Sequence, residues 1–185
     1  MTPNWAATDR AGAGTGSADV CEYCGCRGVP PIAELMDEHT TLVDHAHHVR
    51  QDLASENPSA AMSRLSGHVA HLDRHVQREE DGIFRAMRAT GEFLDEINAL
   101  EGEHRGFAIA VAALDPESSG FDAQVIRSST SWMSMSSART LGIFPVSVVT
   151  LGATGWTIVD EAHTNSPSFL HNQATSGVTA DTHPS

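Results

Sequence analysis

Histidine and glutamate recur along this chain at spacings from which a metal site could be built. The segment HVQREEDGIF places His75 and Glu79 four residues apart. Positions i and i+4 lie on one face of an α-helix, about one turn apart, so both side chains can reach the same ion. Imidazole and carboxylate groups are both ligands for transition metals. The spacing therefore predicts half of a metal site.

Two further histidines share a common context. The segments LMDEHTTL and LEGEHRGF share one pattern. Each begins with an apolar residue, has a Glu-His pair whose His lies four residues after it, and has a second apolar residue three positions after the His. His39 and His104 each fill the missing step of an apolar stripe with helical spacing, so both imidazoles are expected to point inward. A lone inward His is more often a hydrogen-bonded core residue. Three of them with a buried Glu favour a metal site, because an unpaired buried carboxylate is costly.

The remaining polar candidates give weaker signals. His68 and His71 precede His75 on the second helix and are expected in supporting or surface positions. A solvated position on the first helix is expected for His45, His47 and His48. Glu80 and Asp81 are expected to form a solvated acidic face.

The composition excludes several classes of partner. The 185 residues include 24 acidic and 11 Lys or Arg side chains, and the formal charge of −13 repels nucleic acid and anionic lipid. The chain has no apolar run of about 18 residues and no secretory signal pattern, so we expect a cytoplasmic protein that does not bind membranes. The three cysteines, Cys21, Cys24 and Cys26, are too close together for a disulfide framework and favour a reducing compartment. Three thiols could hold a soft metal, but no fourth zinc ligand is evident.

Periodicity predicts an all-α protein. The ranges expected are a flexible Cys-containing arm over 1–29, a helical bundle over 30–163 and a disordered tail over 164–185. Two copies of a helix pair, each opening on a Glu-His segment, predict an antiparallel up-down four-helix bundle. The fourth segment, IRSSTSWMSMSSART (126–140), lacks an apolar period and predicts a degraded fourth helix.

At DEHTTL, HVQREEDGIF and GEHRGF the chain resembles the hemerythrin-like family of HHE cation-binding domains, over about residues 32–147. That family has a His on the first helix, His-x-x-x-Glu on the second, and the same pattern on the third and fourth. The resemblance implies a hemerythrin-like bundle with metal ligands at His39, His75, Glu79 and His104. It also implies non-haem iron, with two Fe if the site is complete, that binds or senses oxygen or handles peroxide or nitric oxide.

The sequence departs from this family pattern in the fourth segment, where nothing fills the second His-x-x-x-Glu. Read one base out of frame with ordinary codons, SSTSWMSMSSARTLG becomes VDELDEHVVREDLG. Joined to Ile143 and Phe144, this gives HVVREDLGIF, close to HVQREEDGIF. We hypothesise that two compensating one-base shifts bracket residues 126–142.

Three functions remain open from the sequence. The first is a di-iron protein that binds or senses oxygen or reactive oxygen and nitrogen species. The second is a catalase-like di-iron enzyme that consumes peroxide. The third is a vestigial or mononuclear metal-binding bundle that acts through partners, which the degraded fourth segment favours.

Overall fold

The computed structural model describes residues 25–173 except 56, 116 and 129–141, and these described residues form helices and no strands. The all-α prediction is therefore confirmed. The α-helices are α1 (Pro30–Ala54), α2 (Pro58–Arg78), α3 (Arg85–Thr90), α4 (Leu94–Ala112), α5 (121–128), α6 (Phe144–Thr150), α7 (Ala153–Asn165) and α8 (Phe169–Gln173). A 3-10 turn covers Cys26–Gly28, and a π-helical segment covers Glu79–Phe84.

Helices α1 and α2 form an antiparallel hairpin. Two prolines open α1, where their missing N–H groups cost nothing. Asn57 caps α2 by accepting a hydrogen bond from the backbone N–H of Ala60 at 3.1 Å. Arg64 of α2 pairs with Asp52 of α1 at 2.7 Å beside the turn, as expected for two helices that run in opposite directions. The hairpin places the inward faces of both helices against each other.

Helix α2 continues through the π-helical segment into α3 without a break in the chain direction. A π turn holds more residues than an α turn, and such turns are frequent at functional sites. The helix ends at Gly91, whose φ of 78° is the left-handed conformation that glycine adopts without strain. The sequence pattern predicted a helix through this region, but it did not predict the π turn.

Helix α7 covers the π-helical segment and α3. Gly82 lies at this contact, where an added Cβ would be 3.5 Å from the Cβ of Ala162, an ordinary van der Waals distance. The main core joins these elements to α1, α4 and α6 through buried apolar side chains that include Ile32, Leu35, Phe84, Met87, Ile97, Phe144 and Val159. A smaller cluster joins Leu42, Leu72 and Phe169.

Both ends that the sequence predicts to be flexible contain some ordered structure. Cys26 is buried and disulfide-bonded, which the spacing of the cysteines did not predict. The tail expected from residue 164 is helical over Phe169–Gln173. The reason is apolar burial, because Phe169 packs on Leu42 and Leu72.

Two glycine substitutions should change stability in opposite directions. Gly91→Ala forces a Cβ into the left-handed conformation and should lower the free energy of unfolding by about 1 kcal/mol. Gly106→Ala lies in α4 with open space around it and should raise that free energy by about 0.5–1 kcal/mol. Urea unfolding of the metal-free protein measures both. Equal shifts for the two variants would contradict the assigned backbone conformations.

Candidate metal centre

The structure brings all four predicted ligands together in the interior. His39 lies on α1, His75 on α2, Glu79 at the start of the π-helical segment and His104 on α4, and each is at most 5% exposed. The Nε2 atoms of His39 and His75 both lie 3.4 Å from Oε1 of Glu79. The Nε2 atom of His104 lies 3.1 Å from Oε2. Three imidazoles from three helices therefore face one carboxylate.

The surrounding helices fix the orientation of these rings. The hairpin brings the His39 and His75 rings together with centroids 4.5 Å apart and their planes tilted by 59°. Phe144 stacks on His39 at 5.5 Å, and Phe84 stacks on His104 at 5.7 Å, both nearly parallel. These two buried phenylalanines exclude water from one side of each imidazole and limit its rotation.

Two further carboxylates set the protonation of the rings. The Nδ1–H of His75 donates to Glu38 at 2.6 Å, and the Nδ1–H of His104 donates to Glu80 at 2.7 Å. In a neutral imidazole whose Nδ1 carries the proton, Nε2 keeps its lone pair. With Nδ1 protonated, each Nε2 can present its lone pair to a cation bound beside Glu79, the arrangement that metal-binding histidines share in proteins.

Sequence reasoning did not assign roles to Glu38 and Glu80. The side chain of Glu80 is 37% exposed, in line with the expected solvated position, but one of its oxygens also accepts a hydrogen bond from His104. Glu38 is fully buried. Glu38 directly precedes His39 in the repeated Glu-His pair, which could have indicated its role. The pair was interpreted only as part of the internal repeat. No sequence signal identified Glu80, because its neighbour Asp81 is equally acidic and is exposed.

A buried arginine balances the charge of Glu38. The guanidinium of Arg78, which is fully buried, donates to Glu38 and Glu34 on α1 and to Nδ1 of His163 on α7 at 2.8 Å. Burial raises the pKa of Glu38, but the hydrogen bond and charge of His75 and the charge of Arg78 outweigh this effect and lower it. Glu38 is therefore an anion at neutral pH.

Two buried histidines respond in opposite directions to their surroundings. Burial lowers the pKa of His75, but the charges of Glu79 and Glu38 and their hydrogen bonds raise it overall. Burial, followed by the charge of Arg78, lowers the pKa of His163 to about 4. His163 is thus neutral at pH 7 and can accept the hydrogen bond from Arg78. Residue 163 ends the range predicted for the helical bundle, and no role was predicted for it.

The donor chemistry at the centre fits a transition metal. In the described part of the chain, His39, His75 and Glu79 are the group of three or more residues whose donor atoms all lie within 4.8 Å of one another. Nitrogen and carboxylate donors suit iron, manganese or zinc. His104, 3.1 Å from the same carboxylate, can add a fourth donor.

Other predicted features lie apart from this centre. His47 and His48 are exposed as expected, whereas His45 is half-buried against His68 and His71 in a separate part of the hairpin. The segment for which a frameshift is hypothesised, 126–142, falls mainly on residues 129–141, which lie outside the described residues. No helix among the described residues is long and apolar enough to span a membrane.

The fold and the site together define an all-helical protein with a buried His and Glu centre suited to a metal cation. A family model, the hemerythrin HHE cation binding domain, matches residues 30–136. The chain therefore belongs to the hemerythrin HHE cation-binding domain family, and the resemblance drawn from its motifs is confirmed. Comparison with curated proteins and with solved structures gave no match.

Removal of the buried arginine should strongly destabilise the protein. Arg78→Met leaves Glu38 charged and buried, and should lower the free energy of unfolding by about 3–5 kcal/mol. Arg88→Met breaks the exposed pair with Glu101 and should cost at most about 1 kcal/mol. Urea unfolding of the metal-free proteins gives both values. A cost for Arg78→Met as small as that for Arg88→Met would contradict the charge-balancing role.

Proposed function

We propose that this protein is a hemerythrin-like non-haem iron protein that binds or senses oxygen or reactive oxygen and nitrogen species. The ligands proposed for the iron are His39, His75, Glu79 and His104. The observation that carries the proposal is the convergence of three Nε2 atoms on the Glu79 carboxylate, at 3.1–3.4 Å. Oxygen, peroxide or nitric oxide is the proposed small ligand.

The residues around the centre suit this function. Bound iron with an open coordination position would supply binding or redox chemistry for a diatomic molecule or peroxide. Glu38 and Glu80 hold the Nδ1 protons of His75 and His104 and so keep both Nε2 atoms available. Phe84 and Phe144 give the centre apolar walls, which favour an apolar diatomic molecule over water.

The number of irons depends on the fourth helix. Four ligands from α1, α2, the π-helical segment and α4 are enough to hold one ion. A second iron needs further ligands from the segment before α6, where the antiparallel four-helix arrangement would place the family's second His-x-x-x-Glu. The translated sequence lacks that motif. We propose two irons for a chain that carries the frame-restored HVVREDLGIF, and one for the chain as given.

Iron content and visible absorption test the proposal. Protein purified from an iron-supplied culture should contain iron and show an absorption band that changes between reduced and air-exposed samples. Glu79→Gln removes the shared carboxylate and should lower the bound iron at least about tenfold. His47→Asn, an exposed change on α1, should leave the iron content unchanged. Wild-type protein without iron, or Glu79→Gln with full iron, would overturn the proposal.

The catalase-like alternative is tested on the same samples. Sustained release of oxygen from added peroxide by the iron-loaded protein would identify an enzyme, whereas a single stoichiometric change in the absorption band would identify a binding or sensing protein. Glu79→Gln is the control for release by iron elsewhere in the sample.

The carboxylate that holds His104 should affect iron affinity. Glu80→Gln keeps the size of the side chain but weakens its acceptance of the Nδ1–H hydrogen bond from His104, and should lower iron affinity about 10–100-fold. The matched control is Asp81→Asn, which removes an acidic charge from the exposed adjacent position. Competition with a chelator measures both affinities. Equal losses would show that overall charge, and not the contact with His104, sets the affinity.

A further inference from the structure

A second group of imidazoles lies in the α1–α2 hairpin, on the side of the metal centre nearer the turn. It consists of His45 on α1 and His68 and His71 on α2, and we call it the His45 cluster. His45 lies six residues after His39, and His71 lies four residues before His75. A helix rises 1.5 Å per residue, so the cluster is roughly 6–10 Å from the centre along the hairpin. It shares no residue with that centre.

The spacing of the rings approaches that of ligands on one ion. The centroid of the His45 ring lies 5.3 Å from that of His71 and 6.4 Å from that of His68. Two imidazoles bound to one tetrahedral ion, with metal–nitrogen bonds of about 2.0–2.1 Å, have ring centres about 5 Å apart. The pair His45 and His71 already has this spacing. The donor atoms of the three residues do not all lie within 4.8 Å of one another, so ligation of one ion requires the half-buried His45 side chain to rotate toward His68.

Two of these rings present buried nitrogen atoms without a hydrogen-bond partner. His68 is 3% exposed, and its Nδ1 atom has no hydrogen bond within the described part of the chain. The Nδ1 atom of His71 is likewise buried and without one. A buried polar atom of this kind is unfavourable unless a ligand or water satisfies it. Two such atoms in one cluster point to a shared ligand.

The electrostatic surroundings favour the neutral form of these imidazoles. Burial, followed by the charges of His45 and His71, lowers the pKa of His68 to about 4. Burial is also the largest cause of the lowered pKa of His45 and of His71. All three imidazoles are thus neutral at pH 7, the form that binds metals. Among the nearby cations, Arg64 is paired with Asp52, which offsets its charge.

We propose that His45, His68 and His71 form a second metal site that takes a divalent ion of the zinc and copper class. Three nitrogen donors without a carboxylate favour these ions over iron, manganese or magnesium. His45 and His71 are partly exposed, so an ion can enter from solvent. Phe169 of α8 stacks on His71 at 4.5 Å, almost parallel, and holds that ring in place. The fourth coordination position is left to water.

Zinc titration of the full metal-free chain tests this site. The variant His45→Asn/His71→Asn removes the two partly exposed ligands and leaves the buried His68 in place. His47→Asn/His48→Asn, at two exposed positions on the same helix, is the matched control. After equilibrium dialysis against Zn²⁺, the wild type and the control should retain one zinc per chain more than His45→Asn/His71→Asn. Equal zinc contents in all three proteins would overturn the proposal.

A second measurement uses the wild type alone and does not depend on the folding of any variant. Ring ¹⁵N chemical shifts of the histidines, followed during zinc addition, should show a nitrogen of His68 moving together with nitrogens of His45 and His71. Unchanged His68 nitrogens at zinc saturation would overturn the proposal.

The result is separable from the iron proposal. Zinc bound at the Glu79 centre would be present in all three proteins and would cancel in the comparison. If the Glu79 centre binds nothing, the wild type should still hold one zinc and His45→Asn/His71→Asn none.

Discussion

The buried Glu79 carboxylate is the constraint on which the rest of the interior depends. A fully buried anion is costly in an apolar core unless cations or hydrogen-bond donors surround it. Three helices each supply an imidazole toward it, and two further carboxylates hold the outer nitrogens of His75 and His104. Each added carboxylate needs its own compensation, which Arg78 gives to Glu38. A chain of alternating acidic and basic side chains therefore extends from Glu79 to α7, where His163 accepts a hydrogen bond from Arg78.

The π-helical segment links this electrostatic arrangement to the packing. Glu79 and Glu80 are consecutive, yet one faces the centre and the other reaches His104. A wider turn reduces the angle between successive side chains around the helix axis, so both can lie on the same side of the helix. The same segment presents Gly82 to α7, which packs against it. One local irregularity thus serves the metal centre and the helix that covers it.

The sequence predicted the parts of the structure that follow from periodicity. Helical spacing and the Glu-His repeat were sufficient to place His39, His75, Glu79 and His104 inside an all-α protein. They could not identify the outer partners, because the contacts of Glu38 with Arg78 and of Glu80 with His104 join residues 24 or more positions apart. The ordering of Phe169 was missed for a similar reason. The packing of a short apolar segment depends on distant residues that it contacts, and periodicity within the segment does not identify them.

Two groups of histidines on one hairpin differ in what stabilises them. At the Glu79 centre, carboxylates surround the rings, raise the pKa of His75 and fix its outer proton. At the His45 cluster, burial is the largest cause of the lowered pKa of each imidazole. The Glu79 centre concentrates negative charge and suits an ion that prefers carboxylate ligands. The His45 cluster offers only neutral imidazole nitrogens. Since affinity for common divalent metals rises toward copper on any nitrogen site, the carboxylates of Glu79 and Glu80 can distinguish the Glu79 centre from the His45 cluster.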